Sequence, residues 1–285
     1  MDDPLVAGTS PDHMESAMAD EPVHHASLPD LSAQISGDGP LVVLLHGLAD
    51  TRELWRYVAP VLARQYTVAA IDNYAHGLSP LPEGELTTLM MADGVAALIE
   101  RLDKGPAVLV GLSMGGGIAQ VLALRRPELV RGLVLVSTSS SFSPDAQVRH
   151  RHRADLAERE GMAAIVDELV PRWFTPAFAA AHPEEVEFSR RTVLANSPAR
   201  FAAAARANAS RNWSEELSAL RCLVLYVGGT EDPSGARERA EVYQAHLPGI
   251  RVELLTDTSH LIPIERPVQL NTLLLDFLDA VYPPH

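Results

Sequence analysis

Four short apolar runs constrain this chain more than any other feature: residues 41–45, 67–71, 107–110 and 133–136. Each is nearly continuous rather than alternating, the pattern of strands covered on both faces. Two further runs follow at 223–227 and 252–255. Helix-period stretches lie between the runs. Leu86, Met90, Leu98 and Leu102 share one stripe, and Ile118, Val121, Leu122 and Arg125 form another that Pro127 ends. The last stripe is Leu270, Leu274, Phe277, Leu278 and Val281. Buried strands alternating with amphipathic helices predict an α/β fold, a mostly parallel central sheet flanked by helices.

The alternation breaks over residues 142–219, which hold no buried-strand run and are rich in Ala, Arg and Glu at helical spacing. The stretch begins just past the C-terminal end of a strand, the side on which open α/β sheets bind ligands. It reads as an inserted helical lid, or cap, over a core formed by residues 23–141 and 220–285. Residues 1–22 are acidic, carry scattered Pro, Ser and Gly, and read as a flexible tail. A chain of 285 residues allows one to two domains and buries a core without staples.

Charge and composition remove several classes. With 23 basic and 37 acidic side chains the net charge is −14, which repels nucleic-acid backbones and anionic lipid alike. One cysteine, Cys222, permits neither an intrachain disulfide nor a cysteine metal cluster, and its strand context reads as a small buried hydrophobe. The single lysine, Lys104, lies outside any Gly-Lys-Ser/Thr loop, which removes Walker-type NTPases. The apolar runs are too short to span a bilayer, and the first residues lack the charged and apolar regions of a signal peptide. The expectation is a cytoplasmic protein; a homo-oligomer is left open.

The chemistry concentrates after the third run. Residues 107–110 lead into Gly111-Leu112-Ser113-Met114-Gly115-Gly116 and then a helix, the G-x-S-x-G nucleophile elbow in its strand–turn–helix context. The turn forces Ser113 into strained dihedrals, and glycines at 111 and 115 remove the Cβ atoms that would clash where the chain crosses itself. A glycine turn used only for packing stays open; a dinucleotide loop does not fit, because G-x-G-x-x-G is missing. A serine nucleophile needs a base and the base an orienting acid, in the order Ser, Asp or Glu, His. Asp232 stands just beyond the run at 223–227, and His260 follows the last run. Glu231 and Asp257 are weaker rivals for the acid. The oxyanion hole needs two backbone N–H groups, for which Met114 and Leu48 are the candidates, with His46 a structural residue of the Leu48 loop.

Leu44-Leu45-His46-Gly47, the serine elbow, Gly229-Thr230-Glu231-Asp232-Pro233 and Ser259-His260 together resemble the α/β-hydrolase superfamily over roughly residues 31–282. Residues 172–178, from Arg172-Trp173-Phe174 to Phe178, and Ile264-Glu265-Arg266-Pro267 are similar to those of 3-oxoadipate enol-lactonases. The resemblance implies a serine hydrolase that works without a cofactor. One departure is Asp72-Asn73-Tyr74-Ala75-His76-Gly77-Leu78-Ser79, where Ala75 replaces a glycine and Tyr74 stands where arginine is common in that family. If the backbone there needs positive φ, Ala75 costs on the order of 1 kcal/mol. Tyr74 and Trp173 are the candidate substrate contacts, although Trp173 and Phe174 fit lid core better than pocket wall. Arg149-His150-Arg151-His152-Arg153 reads first as a solvated helix face and second as a patch that steers an anionic substrate. Metal binding by His150 and His152 is disfavoured by the interleaved arginines.

The expected function is cofactor-independent hydrolysis of a small-molecule ester or lactone through Ser113, His260 and Asp232, with enol-lactones the first guess. The alternatives are a non-hydrolytic enzyme on the same fold (lyase, isomerase or perhydrolase) in natural-product biosynthesis, and a ligand receptor.

Overall fold

A computed structural model describes residues 28–283. The expected tail over residues 1–22 lies outside them. A seven-stranded sheet organises the chain: β1 (Ala33–Ser36), β2 (Leu41–Leu45), β3 (Thr67–Ile71), β4 (Ala107–Leu112), β5 (Val130–Val136), β6 (Leu223–Gly229) and β7 (Arg251–Leu255). Its spatial order is β1-β3-β2-β4-β5-β6-β7, with β1 antiparallel to β3 and every other pairing parallel. The architecture is the expected α/β one, a mostly parallel central sheet flanked by helices.

The continuous apolar runs are explained by two cores, one on each face. Val42, Leu44, Val108, Val110, Val134 and Val136 point to one side, where they meet α1 (Ala59–Leu62) and, through Leu270, Leu274 and Phe277, α11 (Pro267–Val281). Leu41, Val43, Leu45, Leu109, Leu133 and Leu135 point to the other, onto α2 (Thr88–Leu102) and α3 (Met114–Arg125), with α9 (Ala236–His246) joining through Ala240 and Tyr243. Side chains alternate across a strand, so a strand covered on both faces has no position where a polar residue is free of desolvation. Among the described residues no helix is long and apolar enough to cross a membrane.

Between β5 and β6 stand α4 (Pro144–Glu160), α5 (Ala163–Leu169), α6 (Pro176–Ala181), α7 (Pro183–Leu194) and α8 (Pro198–Ala209). Helix α4 packs along α8, and Arg206 of α8 pairs with Asp155 and Glu158 across that contact. The insertion hangs from a two-strand waist: Ser141 and Asn212 form an antiparallel bridge, with Phe142 N–H to Arg211 O at 3.2 Å and Trp213 N–H to Ser140 O at 3.2 Å. Below the waist Trp213 and Leu217 pack into the core on the α3 face. The inserted part therefore closes at Asn212, earlier than the expected residue 219, because apolar side chains past the waist return to the sheet layer. A short α10 (Ile262–Glu265) precedes α11.

Candidate active site

Ser113 is the single residue between β4 and α3, with φ 53° and ψ −109°. Positive φ costs a non-glycine residue about 1–2 kcal/mol, so the conformation persists only where neighbours impose it. Here the Ser113 N–H donates to Val136 O at 3.0 Å, and Ser113 O accepts from the Thr138 hydroxyl at 2.6 Å, Gly117 N–H at 3.2 Å and Arg211 at 3.3 Å. The flanking glycines are sterically required. A Cβ at Gly111 would stand 2.5 Å from Gly115 O, and one at Gly115 would stand 2.3 Å from Leu45 O. The turn raises Ser113 onto the wall of a cavity of about 600 Å³, at the N-terminus of α3.

His260 lines the same cavity. Its Nδ1 lies 2.8 Å from Asp232 Oδ2, which also accepts from Arg239 at 3.1 Å, while Asp232 Oδ1 accepts from Ser234 N–H at 2.9 Å. Burial by itself would raise the Asp232 pKa; His260, Arg239 and the Ser234 amide outweigh it and hold the carboxyl well below the usual carboxylate range. A buried anion with two cationic or ring partners and a backbone donor is the arrangement that fixes an imidazole tautomer. The rival acids Glu231 and Asp257 are exposed, and Asp232 occupies the Nδ1 side of the ring.

The His260 loop takes much of its support from the inserted segment. The amides of His260 and Leu261 both donate to Trp173 O, at 3.2 and 3.0 Å, and Ser259 Oγ donates to Arg172 O at 3.1 Å. Buried Glu265 clamps the two together: Oε2 accepts from Ser259 N–H at 2.7 Å, and Oε1 from Thr175 N–H at 3.1 Å and from the Thr175 hydroxyl.

The other candidate loop, at the end of β2, is set by two neutral histidines. His46 accepts from Asn73 N–H at 2.9 Å and places Nδ1 2.7 Å from Gly47 O. His76 accepts from Ala49 N–H at 3.1 Å and places Nδ1 3.1 Å from Tyr74 O. Burial pushes their pKa values down to about 4 and about 3, and the neighbouring His46 adds to the effect on His76. Leu48 lies on the cavity wall and Met114 is the first residue of α3, directly after Ser113. Asp50 also lines the cavity; burial raises its carboxyl to about 7. Nothing in the sequence pattern separates Asp50 from an ordinary turn residue before the Thr51 cap.

Tyr74 corrects a sequence expectation. Its ring packs where a Gly94 Cβ would stand, 2.5 Å away, and its hydroxyl donates to Pro29 O, so it is core rather than cavity wall. Ala75 does take positive φ, 65°, so the strain expected of it is present. Trp173 both belongs to the core and lines the cavity. The arginine-rich run of α4 also departs from its first reading. Arg149, His150 and Arg153 line the cavity, whereas Arg151 and His152 face solvent. Positions 149, 150 and 153 fall on one side of a helix, which composition alone does not reveal. Arg211 and Arg239 were not anticipated: each lies in a stretch with no motif, and only the folded chain brings them to Ser113 and Asp232.

The sequence profile of the alpha/beta hydrolase fold matches residues 40–170. The chain is 27% identical over 234 residues to 3-oxoadipate enol-lactonase 2 of Acinetobacter baylyi, covering 82% of this chain and 86% of that protein. Among solved structures it resembles a thermophilic esterase from Thermogutta terrifontis, solved with malate bound, at 32% identity and a TM-score of 0.82, over 88% of this chain and 93% of the other. The enol-lactonase from Burkholderia xenovorans aligns at 26% identity and a TM-score of 0.81, over 87% and 96% of the two chains.

Proposed function

This chain belongs to the α/β-hydrolase superfamily, and from that premise we propose that it is a cofactor-independent serine hydrolase of a lactone or small carboxylic ester. One observation carries the reading: Ser113, held at φ 53° between β4 and α3, shares a cavity with a histidine whose Nδ1 is bound by a buried carboxylate. In this reading Ser113 Oγ attacks the acyl carbon while His260 takes its proton. Asp232 keeps the imidazole in the tautomer with Nδ1 protonated and stabilises the imidazolium that forms. The N–H groups of Leu48 and Met114 hold the oxyanion, each worth about 3 kcal/mol when aligned. His260 then returns the proton to the leaving oxygen, and water, deprotonated by the same histidine, releases the acyl group from Ser113.

Enol-lactones are the first substrates to try, because two of the relatives carry that name. Intact-mass analysis after a small fluorophosphonate tests the mechanism. A single adduct is expected on the wild type and none on Ser113→Ala; labelling that survives the substitution would sink it. Products formed in oxygen-18 water should carry the label, and an unlabelled product would move the assignment to a lyase, isomerase or perhydrolase on this fold.

A further inference from the structure

The inserted segment brings unbalanced positive charge to the cavity. Arg149 and Arg153 of α4, Arg172 and Arg211 all line it, and all four lie close enough to His150 to oppose its protonation. Among the described residues only Arg153 of these four has a carboxylate partner, Glu168. Arg149 and Arg172 form no ion pair among the described residues. Arg211 is 2% exposed and meets neutral acceptors alone: the Thr138 hydroxyl, the carbonyls of Ser139 and Ser113, and the amide oxygen of Asn208. Against these cations the cavity wall offers Glu238 and Asp50, whose carboxyl is partly protonated near neutral pH. A local excess of guanidinium groups in a chain of net charge −14 marks a place where an anion is attracted rather than repelled.

The polar atoms agree with the charges. His150 Nδ1, Arg153 Nε and Arg211 Nε are buried with no hydrogen-bond partner among the described residues. The arginine nitrogens are donors by chemistry, and a neutral imidazole can present Nδ1 as one. Phe142 gathers two of these groups, with the His150 ring 4.6 Å and the Arg211 guanidinium carbon 4.8 Å from its centroid. Buried donors without acceptors are unfavourable until a ligand supplies oxygen atoms.

We propose that Arg149, Arg172 and Arg211, gathered around His150, form a carboxylate subsite, and that the substrate is an acyl compound with a free carboxylate remote from its ester or lactone bond. The proposal rests on the serine-hydrolase reading for where the reacting bond lies, but not for binding of the anion.

Calorimetry on the full chain measures the subsite without turnover. Succinate and glutarate should bind at least about tenfold more tightly than their dimethyl esters at low salt, a preference that added salt weakens. Arg149→Ala/Arg172→Ala should abolish the preference; both side chains are exposed and form no ion pair among the described residues, so the variant should fold. Arg151→Ala, on the solvent side of α4 where Arg151 meets Gln147, should keep it. Diacid and diester binding equally, a double variant that binds like the wild type, or inorganic phosphate binding more tightly than succinate would each overturn the carboxylate assignment. In a kinetic arm, 4-nitrophenyl half-esters of the diacids should exceed 4-nitrophenyl butyrate about tenfold in kcat/KM, chiefly through KM. If no ester turns over while the diacid preference holds, the hydrolase reading fails and the subsite stands. If butyrate turns over as well as the half-esters, the subsite fails and the hydrolase reading stands.

Discussion

The two sides of the cavity are built on opposite principles. Around Ser113, His46 and His260 nearly every backbone group is tied: strained dihedrals, required glycines, neutral histidines and a buried carboxylate fix each loop from several directions. The wall contributed by α4 and Arg172 is instead lined by long side chains, two of which pair with no acid among the described residues. Groups that must hold one geometry are over-constrained, and two of the groups that only have to meet a ligand, Arg149 and Arg172, are left exposed. Position is set by hydrogen bonds and packing, whereas attraction needs only charge.

That contrast can be broken by measurement. The largest difference should appear between Glu265→Ala and Arg149→Ala in urea denaturation. The first strands three donors, on Thr175 and Ser259, and should cost about 4 kcal/mol; the second should stay within about 0.5 kcal/mol. Similar losses in the two variants would erase the distinction.

Acid titration sharpens it next. Unfolded, His46 and His76 protonate below the ordinary 6.5; folded, burial keeps them neutral down to about 4 and about 3. The unfolded chain binds the extra protons in that window, so these two groups make stability fall as pH drops from 6.5 to 4. Asp50 acts in the opposite sense, since its carboxyl titrates near 7 folded against 3.8 unfolded and the folded chain holds that proton. His150, held neutral down to about 3 by burial and the surrounding arginines, adds a third histidine to that window. The four groups together give a net loss of about 2.7 kcal/mol per pH unit, and Asp50→Asn should steepen it to about 4.1. Denaturation midpoints at four pH values would show this; a slope unchanged by Asp50→Asn would place that carboxyl in water.

The smallest effect belongs to Ala75, at φ 65°. Ala75→Gly relieves about 1–2 kcal/mol of strain and returns part of it as unfolded-state entropy, for a gain of about 0.5 kcal/mol by thermal or urea melting. A loss would mean that the methyl group's packing in the core outweighs the dihedral strain.

How legible these parts were in the sequence follows the same division. The buried strands β2 to β5, and Ser113 at the end of β4, could be read because desolvation on both faces and a forced turn leave few residue types to choose from. Asp232 and His260, beyond β6 and β7, are legible only through the chain order of nucleophile, acid and base. Strand β1, Ala33–Ser36, could not: it is an antiparallel edge strand, half exposed, with no continuous apolar run. Arg211 and Arg239 were invisible because their roles come from contacts across 98 and 7 residues of chain that carry no periodic signal. Asp50 was invisible because its role comes from burial in the cavity wall, which its turn position does not reveal. Tyr74 was misplaced because position along a loop does not tell on which side of it a side chain falls; Gly94 opened room for the ring in the core.

The waist at Ser141 and Asn212 offers an obvious junction for exchanging the inserted helices between relatives. Yet a graft cut there would also remove the Trp173 carbonyl that the His260 and Leu261 amides share, together with the Thr175 donors of Glu265. Substrate range in this architecture is therefore not a free-standing cassette. Any lineage that swaps the roof must restore one short stretch of main chain, residues 172–175, or lose the register of the histidine beneath it.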